Sequence, residues 1–208
     1  QHSSCRYEDV CMNGFGVKDT CGTVWDCGLI LAGFLSTTAG RSLLASAKQG
    51  IAVDVGAGTG VAALALAQLN LNNITKIVAT DVETGVALAQ KNITLNGYGP
   101  SSEPPVVAVE LWWGQDQEEN VLKKLPVSIV LAADVVYNET SSIALCKTLN
   151  ALCGPETICL LGFRNRCDAQ TIRSFFTTLS DLGFSNVAIP TKELHPQYRC
   201  EDAHVLYL

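Results

Sequence analysis

A glycine-rich segment is the feature of this sequence with the clearest capacity for chemistry. It runs from Asp54 to Gly60 with the letters DVGAGTG, after the β-branched run Ile51–Val55 and before the helical pattern Val61–Leu69. Glycines let the backbone turn sharply and approach a ligand closely, and the helix that begins after them offers unpaired N–H groups. The order of strand, glycine loop and helix therefore predicts a ligand-binding turn.

Asp81 adds a second polar group to this turn. It follows the predicted strand Lys76–Thr80 and lies 27 residues after Asp54. A carboxylate at the end of the second strand of such a unit can accept hydrogen bonds from both hydroxyls of a ribose. The glycine loop and Asp81 together predict a cofactor that contains a nucleoside.

The spacing of the glycines narrows the choice of cofactor. The dinucleotide pattern GxGxxG fails because residue 61 is valine, and a P-loop is excluded because no GKS or GKT follows. The loop reads GxGxG, with an acidic residue two positions before the first glycine. This DxGxGxG pattern after a first strand resembles that of class I S-adenosylmethionine-dependent methyltransferases.

Three further motifs make the resemblance more specific. They are GTVW, which ends at Trp25, LWWG, which ends at Gly114, and ADVVY, which ends at Tyr137. The ordered set of GxxW, DxGxGxG, LxWG and ADxxY resembles the DxxY-type methyltransferase-like family of protein lysine methyltransferases, which modify chaperones and translation factors. The resemblance covers nearly the whole chain, from about Gly22 to Leu208.

This resemblance implies a seven-stranded fold that holds S-adenosylmethionine at the carboxyl ends of its strands. Trp113 is chosen over Trp112 for the site because it immediately precedes Gly114. Asp54 is expected either in the cofactor site or as a holder of the glycine loop through backbone hydrogen bonds. By motif position, the residues implied to line the cofactor pocket are Trp25, Gly56, Ala57, Gly58, Asp81, Trp113 and Ala133.

The resemblance also implies where the methyl group is transferred. Asp134 ends the fourth predicted strand, where an acceptor can approach the methyl group, and we expect its carboxylate to stabilise the charge that moves to nitrogen. Tyr137 is expected to orient the amine or to form a wall of the pocket, and Arg164 and Arg166 are expected either to face the substrate rim or to be solvated surface side chains. The implied activity is transfer of a methyl group to a lysine of a specific protein substrate.

Two alternatives stay open on the sequence. The first is an arginine or small-molecule methyltransferase, because a fold does not determine its acceptor. The second is a module that binds the cofactor for protein interaction and turns over little. Methylation of a nucleic-acid base is disfavoured, because the letters DVVY depart from the Asn/Asp-Pro-Pro-Tyr motif usual in nucleic-acid and glutamine methyltransferases.

The elements that must position these residues alternate between strands and helices. This alternation predicts an α/β fold with a doubly wound, mostly parallel sheet of Rossmann-like type, whose last strand pairs antiparallel at the edge. Before it, Cys5–Thr20 is predicted to be irregular and Val24–Leu35 to be helical. The predicted strands are Ile51–Val55, Lys76–Thr80, Val106–Leu111, Val127–Ala132, Thr157–Gly162, Ser185–Ile189 and Ala203–Leu208, and the helices are Val61–Leu69, Thr84–Asn96, Ser142–Cys153 and Ala169–Leu182.

Length and composition limit the class of protein. A chain of 208 residues suits one globular unit, which we divide into a short N-terminal cap, residues 1–45, and a methyltransferase domain, residues 46–208. Apolar residues make up 48% and charged residues 16%, which excludes a disordered chain. The net charge of −6 argues against a nucleic-acid partner. The longest nearly apolar run, Val61–Leu71, is shorter than the ~20 residues that span a bilayer, so no membrane partner is expected.

The cysteines bear on compartment and metal content. Nine cysteines without a CxxC pair favour a reduced, intracellular protein, expected in the cytoplasm with the nucleus as an alternative. Cys5, Cys11, Cys21 and Cys27 are separated by six, ten and six residues, which fits no common zinc pattern. No metal is therefore expected.

Overall fold

The structure is a computed structural model that describes residues 20–115 and 124–208. The segment Cys5–Thr20, predicted to be irregular, lies almost wholly outside the described residues. The strands are β1 Gly50–Val55, β2 Ile74–Asp81, β3 Val106–Glu110, β4 Val127–Ala133, β5 Ile158–Arg164, β6 Val187–Ala188 and β7 Ala203–Tyr207. The helices are α1 Asp26–Ser36, α2 Thr38–Ala45, α3 Val61–Gln68, α4 Glu83–Leu95, α5 Glu139–Leu152 and α6 Ala169–Asp181, with short 3₁₀ turns at Thr20–Gly22 and Thr191–Glu193.

The strands form one seven-stranded sheet in the order β3-β2-β1-β4-β5-β7-β6. Neighbours from β3 to β5 are parallel, and β7 runs antiparallel to both β5 and β6. The predicted α/β class with a mostly parallel sheet and an antiparallel last strand is confirmed. The chain leaves β1 toward β2 and β3 and later returns to the other side of β1 with β4. This reversal creates a crevice at the carboxyl ends of β1 and β4, where ligands of such sheets bind.

The prediction that the last strand lies at the sheet edge is wrong. β7 is hydrogen bonded on both sides, with Tyr207 opposite Leu160 of β5 and also opposite Val187 of β6. The strand at this edge of the sheet, beside β7, is β6. It consists of two exposed residues, where the sequence predicts a strand over Ser185–Ile189. A short edge strand presents few unpaired backbone groups, which limits pairing with other chains.

The side chains of the strands alternate between two apolar layers. Ala52 of β1 faces the layer formed with α1, α2, α3 and α4, whereas Val53 and Val55 face the layer formed with α5 and α6. The inner strands β1, β4 and β5 are covered on both faces, which accounts for their nearly continuous apolar sequences.

Polar side chains set two helix starts that the sequence pattern placed wrongly or omitted. α5 begins at Glu139, ahead of the predicted Ser142, because Asn138 Oδ1 accepts a hydrogen bond from the Ser141 N–H at 2.9 Å. α2 was not predicted, and the hydroxyl of Thr37 caps it by accepting from the Gly40 N–H at 3.1 Å.

The helices α1 and α2 contribute to the apolar core on one face of the sheet. α1 buries Leu31, Phe34 and Leu35, and α2 buries Leu44, in the same apolar layer as α3. The boundary at residues 45 and 46 stays a prediction. In residues 20–115 and 124–208, no single helix is long and apolar enough to cross a membrane, and α1 with α2 meets that requirement only as a pair bent by 76°.

Candidate active site

A cavity of about 390 Å³ lies at the carboxyl ends of β1, β2 and β4. It sits where the strand order reverses, which is the expected place for a ligand in this architecture. Its volume falls in the range of about 300–1,000 Å³ typical of small-molecule sites. Every residue that the sequence analysis assigned to the cofactor or to catalysis lines it: Trp25, Asp54, Gly56, Ala57, Gly58, Asp81, Trp113, Ala133, Asp134 and Tyr137.

The glycine loop forms the floor of this cavity. Gly56 has a φ of +69°, which L side chains rarely adopt. A Cβ built on it would lie 2.8 Å from both Trp113 Cζ2 and Val135 Cγ1. The Ala57 N–H donates to the Thr80 carbonyl at 2.9 Å and fixes the loop against β2. The loop therefore presents bare backbone to the cavity, with Trp113 directly against it.

Asp81 ties the glycine loop to the start of α4. Its Oδ2 accepts a hydrogen bond from the Gly58 N–H at 2.7 Å, and its Oδ1 accepts from the Val82 N–H at 2.8 Å. An ionised carboxylate has about four acceptor sites, so one such group can hold backbone N–H groups and ribose hydroxyls together. The Asp81 carboxylate stands at the cavity wall, where the ribose of a nucleoside would meet it.

Asp54 is buried beneath the loop, with 2% of its surface exposed. Its Oδ2 accepts a hydrogen bond from the Ala63 N–H at 3.0 Å. Burial raises the pKa of the Asp54 carboxyl to about 7, the Ala63 N–H opposes this rise, and the negative charge of Asp81 adds to it. The side chain therefore holds the first turn of α3, which follows the glycine loop, whereas the expectation was a hydrogen bond to the loop itself.

The two neighbouring tryptophans take different positions. Trp113 packs on Gly56, and its ring centroid lies 6.3 Å from that of Tyr137. Trp112 is 46% exposed, and its indole N–H donates to Glu110 Oε1 at 2.7 Å. Both line the cavity, with Trp113 at the glycine loop and Trp112 toward solvent. The geometry agrees with the choice of Trp113 from its place in the motif.

Asp134 follows β4 in the cavity wall and has an uncommon backbone conformation, with a φ of +57°. Its side chain is only 3% exposed and is fully engaged. Oδ1 accepts from Arg166 Nε at 2.7 Å, while Oδ2 accepts from Arg166 Nη2 at 3.0 Å and from the Cys27 N–H at 3.1 Å. The carboxylate is therefore the acceptor in a two-bond ion pair, a contact that the sequence did not indicate.

The two arginines expected at the substrate rim take different places. Arg166 lines the cavity, whereas Arg164 ends β5 and pairs with Asp26 and Asp202 outside the cavity lining. Arg166 is the one basic residue among the lining residues of the described part of the chain. The other lining residues, which the sequence did not single out, are Cys21, Thr23, Gly28, Thr59, Val61, Ala62, Val82, Leu111, Val135, Thr140, Ser141 and Ala144.

The described residues provide no set of metal ligands. No group of three or more His, Cys, Asp or Glu side chains in residues 20–115 and 124–208 is placed to hold a metal ion. Cys5 and Cys11 lie outside the described residues. Cys27 is buried, and burial together with the nearby Asp134 raises the pKa of its thiol, so that it remains protonated.

The cavity suits S-adenosylmethionine in shape and charge. Gly56 leaves a cradle that a single Cβ would fill, and Asp81 offers acceptors for ribose hydroxyls. The lining carries three acidic side chains, Asp54, Asp81 and Asp134, against the single guanidinium of Arg166, and the raised pKa of Asp54 leaves that one partly protonated near pH 7. A negative balance favours a cofactor that carries a positive sulfonium.

Comparison with known proteins places the chain in a family. A family model described as lysine methyltransferase matches residues 9–181. EEF1A lysine methyltransferase 3 of Xenopus tropicalis is 32% identical over 73% of this chain and 61% of its own length. Protein-lysine N-methyltransferase EFM6 of Saccharomyces cerevisiae is 28% identical over 96% and 84%, and protein N-lysine methyltransferase METTL21A of Mus musculus is 29% identical over 83% and 73%.

Solved structures confirm the fold. A TehB-like S-adenosylmethionine-dependent methyltransferase from Corynebacterium glutamicum has a TM-score of 0.54 at 12% identity, covering 89% of this chain and 88% of its own. Human N-acetylserotonin methyltransferase in complex with S-adenosylmethionine has a TM-score of 0.53 at 17% identity, covering 86% and 53%. The predicted class I methyltransferase fold and the predicted cofactor, S-adenosylmethionine, are confirmed. This chain belongs to the lysine methyltransferase family.

Proposed function

We propose that this chain transfers a methyl group from S-adenosylmethionine to the ε-amine of a lysine on a specific protein. The observation that carries the proposal is the open aromatic mouth of the cavity. Trp25, Trp112 and Tyr137 line the cavity and are also 38%, 46% and 43% exposed. A side chain on a macromolecule can enter between such residues while its backbone stays outside.

The aromatic walls help the acceptor reach its reactive form. A lysine with a pKa of ~10.4 must lose a proton, which costs about 4 kcal/mol at pH 7.4. Trp113, together with the apolar Ala133 and Val135, gives the inner cavity a low polarity. Such surroundings disfavour the ammonium form and so lower the cost of deprotonation.

Asp134 and Tyr137 have separate proposed roles at the point of transfer. When bound, S-adenosylmethionine supplies a methyl group on a positively charged sulfur, which is already a strong electrophile. Asp134 does not need to remove a proton. Its carboxylate, already paired with Arg166, lends negative potential beside the nitrogen that becomes positive. Tyr137, exposed at the mouth, orients the amine through its hydroxyl.

The proposed acceptor protein follows from the relatives and from the motifs. The relatives named above are protein-lysine methyltransferases, one of them named for EEF1A, which supports a protein acceptor. We propose a chaperone or a translation factor, in keeping with the resemblance of the motifs, and the cytoplasm as the compartment. The chain spans 61% of the length of the Xenopus relative, so the partners of the whole protein belong to this proposal.

Incubation with tritiated S-adenosylmethionine and a cell lysate tests the proposal. The chain and its Gly56→Arg variant, whose side chain would occupy the cavity, are compared, and label is followed into protein, nucleic-acid and small-molecule fractions. Label on lysine of a protein band, absent with the variant, is expected. Label on arginine or in a small-molecule fraction would mean that the acceptor is an arginine or a small molecule and not a lysine. Cofactor binding without transfer to any fraction would favour an interaction module.

A further inference from the structure

The first turn of α1 is held by a carboxylate from a distant strand. The first N–H groups of a helix have no partner within the helix. The residue at the N-cap of α1 is Trp25, whose side chain accepts no capping hydrogen bond. Asp134, which follows β4, supplies the missing acceptor, since its Oδ2 receives the Cys27 N–H at 3.1 Å. Asp134 thus caps α1 from 107 residues further along the chain.

A glycine in β5 allows α1 to come this close to the sheet. A Cβ on Gly162 would lie 2.7 Å from the Cys27 carbonyl oxygen, inside any normal contact. The Gly162 carbonyl also accepts the Asp134 N–H at 3.0 Å, which fixes the backbone of the capping residue. The start of α1, the end of β4 and β5 are therefore joined at one point of the cavity wall.

Arg166 completes this junction from the segment after β5. Its guanidinium makes two hydrogen bonds to Asp134 and a longer one, 3.4 Å, to Asp26. The same guanidinium lies over the Trp25 ring, with Cζ 4.9 Å from the ring centroid. A planar guanidinium can pair with a carboxylate through two donors and stack on an aromatic face at once, which an ammonium cannot do.

We propose that Arg166 is a positioning residue for the cofactor site, which acts by pairing with Asp134 and by holding the Trp25 ring at the cavity. Trp25 is 38% exposed, and the Arg166 guanidinium covers one face of its ring. Without the guanidinium, the nearly buried Asp134 carboxylate keeps only the Cys27 N–H among these partners, and an unpaired buried charge is strongly unfavourable. The inference rests on the proposed function only in that Trp25 borders the cofactor.

Arg164 provides a matched control within the same surface. It also binds Asp26, and it binds Asp202, but these contacts involve neither Asp134 nor Trp25. Arg164→Met therefore removes a guanidinium two residues before Arg166. It also removes an ion pair to Asp26, the acidic residue that Arg166 contacts as well. Arg166→Lys is the conservative variant, which keeps the charge and loses the paired geometry.

Two measurements on the whole chain test the proposal. The first is hydrogen exchange at the first turn of α1 in the cofactor-free protein, above all at the Cys27 amide. The second is calorimetric titration with S-adenosylmethionine, which needs no acceptor. We expect Arg166→Met to speed exchange at this turn and to weaken cofactor binding by about tenfold, the factor that corresponds to 1.4 kcal/mol. Arg166→Lys should restore part of the affinity, and Arg164→Met should change both readouts less than twofold.

A double substitution separates positioning from general stability. If Arg166 acts through Asp134 and Trp25, the loss of cofactor affinity caused by Arg166→Met should be smaller in an Asp134→Asn background and in a Trp25→Ala background than in the wild type. An undiminished loss in both backgrounds would overturn the proposal, as would Arg166→Met behaving like Arg164→Met in exchange. A wild-type chain that bound no S-adenosylmethionine would contradict the proposed function, and hydrogen exchange would then still decide whether Arg166 holds the start of α1.

Discussion

The Asp54 carboxylate accepts a hydrogen bond from the backbone N–H of Ala63, nine residues later, at 3.0 Å. Ala63 lies in the first turn of α3, and the N-cap of that helix is Gly60, which has no side chain to offer. Asp134 does the same for α1 through Cys27. Two helices that begin at the cavity are therefore capped by carboxylates from β1 and from the end of β4, the strands on either side of the reversal in strand order.

The burial of Asp54 predicts a pH dependence of stability. The pKa of its carboxyl is about 7 in the folded chain and near 3.9 when unfolded. Between these values Asp54 keeps a proton in the folded chain that it has released in the unfolded chain. The contribution of Asp54 to the free energy of unfolding therefore falls as the pH rises from about 4 to about 7. The loss amounts to at most about 4 kcal/mol, at 1.36 kcal/mol per pH unit.

Urea unfolding of the wild type and Asp54→Asn across this pH range measures the effect. Asparagine can accept the same hydrogen bond from Ala63 without a charge. We expect the variant to gain stability relative to the wild type as the pH rises, with the difference levelling off above about pH 7. A constant difference across the range would show that Asp54 titrates normally in the folded chain.

Gly56→Ala should reduce cofactor binding through the Trp113 contact. The added Cβ would meet Trp113 and Val135 at 2.8 Å and push the ring toward the cavity. We expect affinity for S-adenosylmethionine to fall by more than about tenfold. Gly97→Ala is the control, because Gly97 has a similar φ, +80°, and no atom within 4 Å of its Cβ position. Equal affinities of the two variants would show that the contact of residue 56 with Trp113 does not control cofactor binding.

Asp81→Asn should weaken cofactor binding without loss of the fold. The carboxylate holds the Gly58 and Val82 N–H groups and lines the cavity where the ribose would bind. Replacing one charged acceptor of this kind costs about 1.5–3 kcal/mol, which is roughly 10- to 100-fold in affinity. Glu83→Gln removes an exposed charge two residues away, in the first turn of α4, and should leave the affinity as it is. Calorimetric titration of both variants decides the comparison.

Tyr137→Ala should affect the acceptor more than the cofactor. Tyr137 stands at the mouth, 43% exposed, with Trp113 between its ring and the glycine loop. We expect methyl transfer to a labelled protein to fall by at least about tenfold, because an oriented acceptor contributes strongly to rate. Affinity for S-adenosylmethionine should change less than threefold. A larger loss of affinity than of transfer would place Tyr137 in the cofactor site.

The parts of the fold that follow local patterns could be predicted from the sequence. β1 was placed within one residue, because its apolar run stops at the glycine loop. The strand order could not be predicted in the same way: the last strand, Ala203–Tyr207, lies between β5 and β6, and its own sequence does not encode which neighbours it pairs with. The start of α5 was placed too late because the apolar pattern was given more weight than the cap Asn138.

The candidate site shows the same division. The glycine loop, Asp81 and Trp113 follow from motifs of fixed spacing, and the structure brings them to one cavity. The pairing of Asp134 with Arg166 and the stacking of Arg166 on Trp25 join segments far apart in the chain. No spacing rule predicts such contacts, since they arise from packing of α1 against β5. The sequence thus indicated Asp134 correctly as a cavity residue but did not indicate that its charge is paired.

The identity of the atom that receives the methyl group is the most direct test of whether this chain methylates a lysine of a protein. The chain is incubated with S-adenosylmethionine carrying a deuterated methyl group and with a cell lysate, and modified peptides are sequenced by mass spectrometry. We expect a heavy methyl group on the ε-amine of one lysine of one or a few proteins, absent when Gly56→Arg is used. Heavy methyl groups on arginine or on small molecules, or none at all while the chain binds the cofactor, would contradict it.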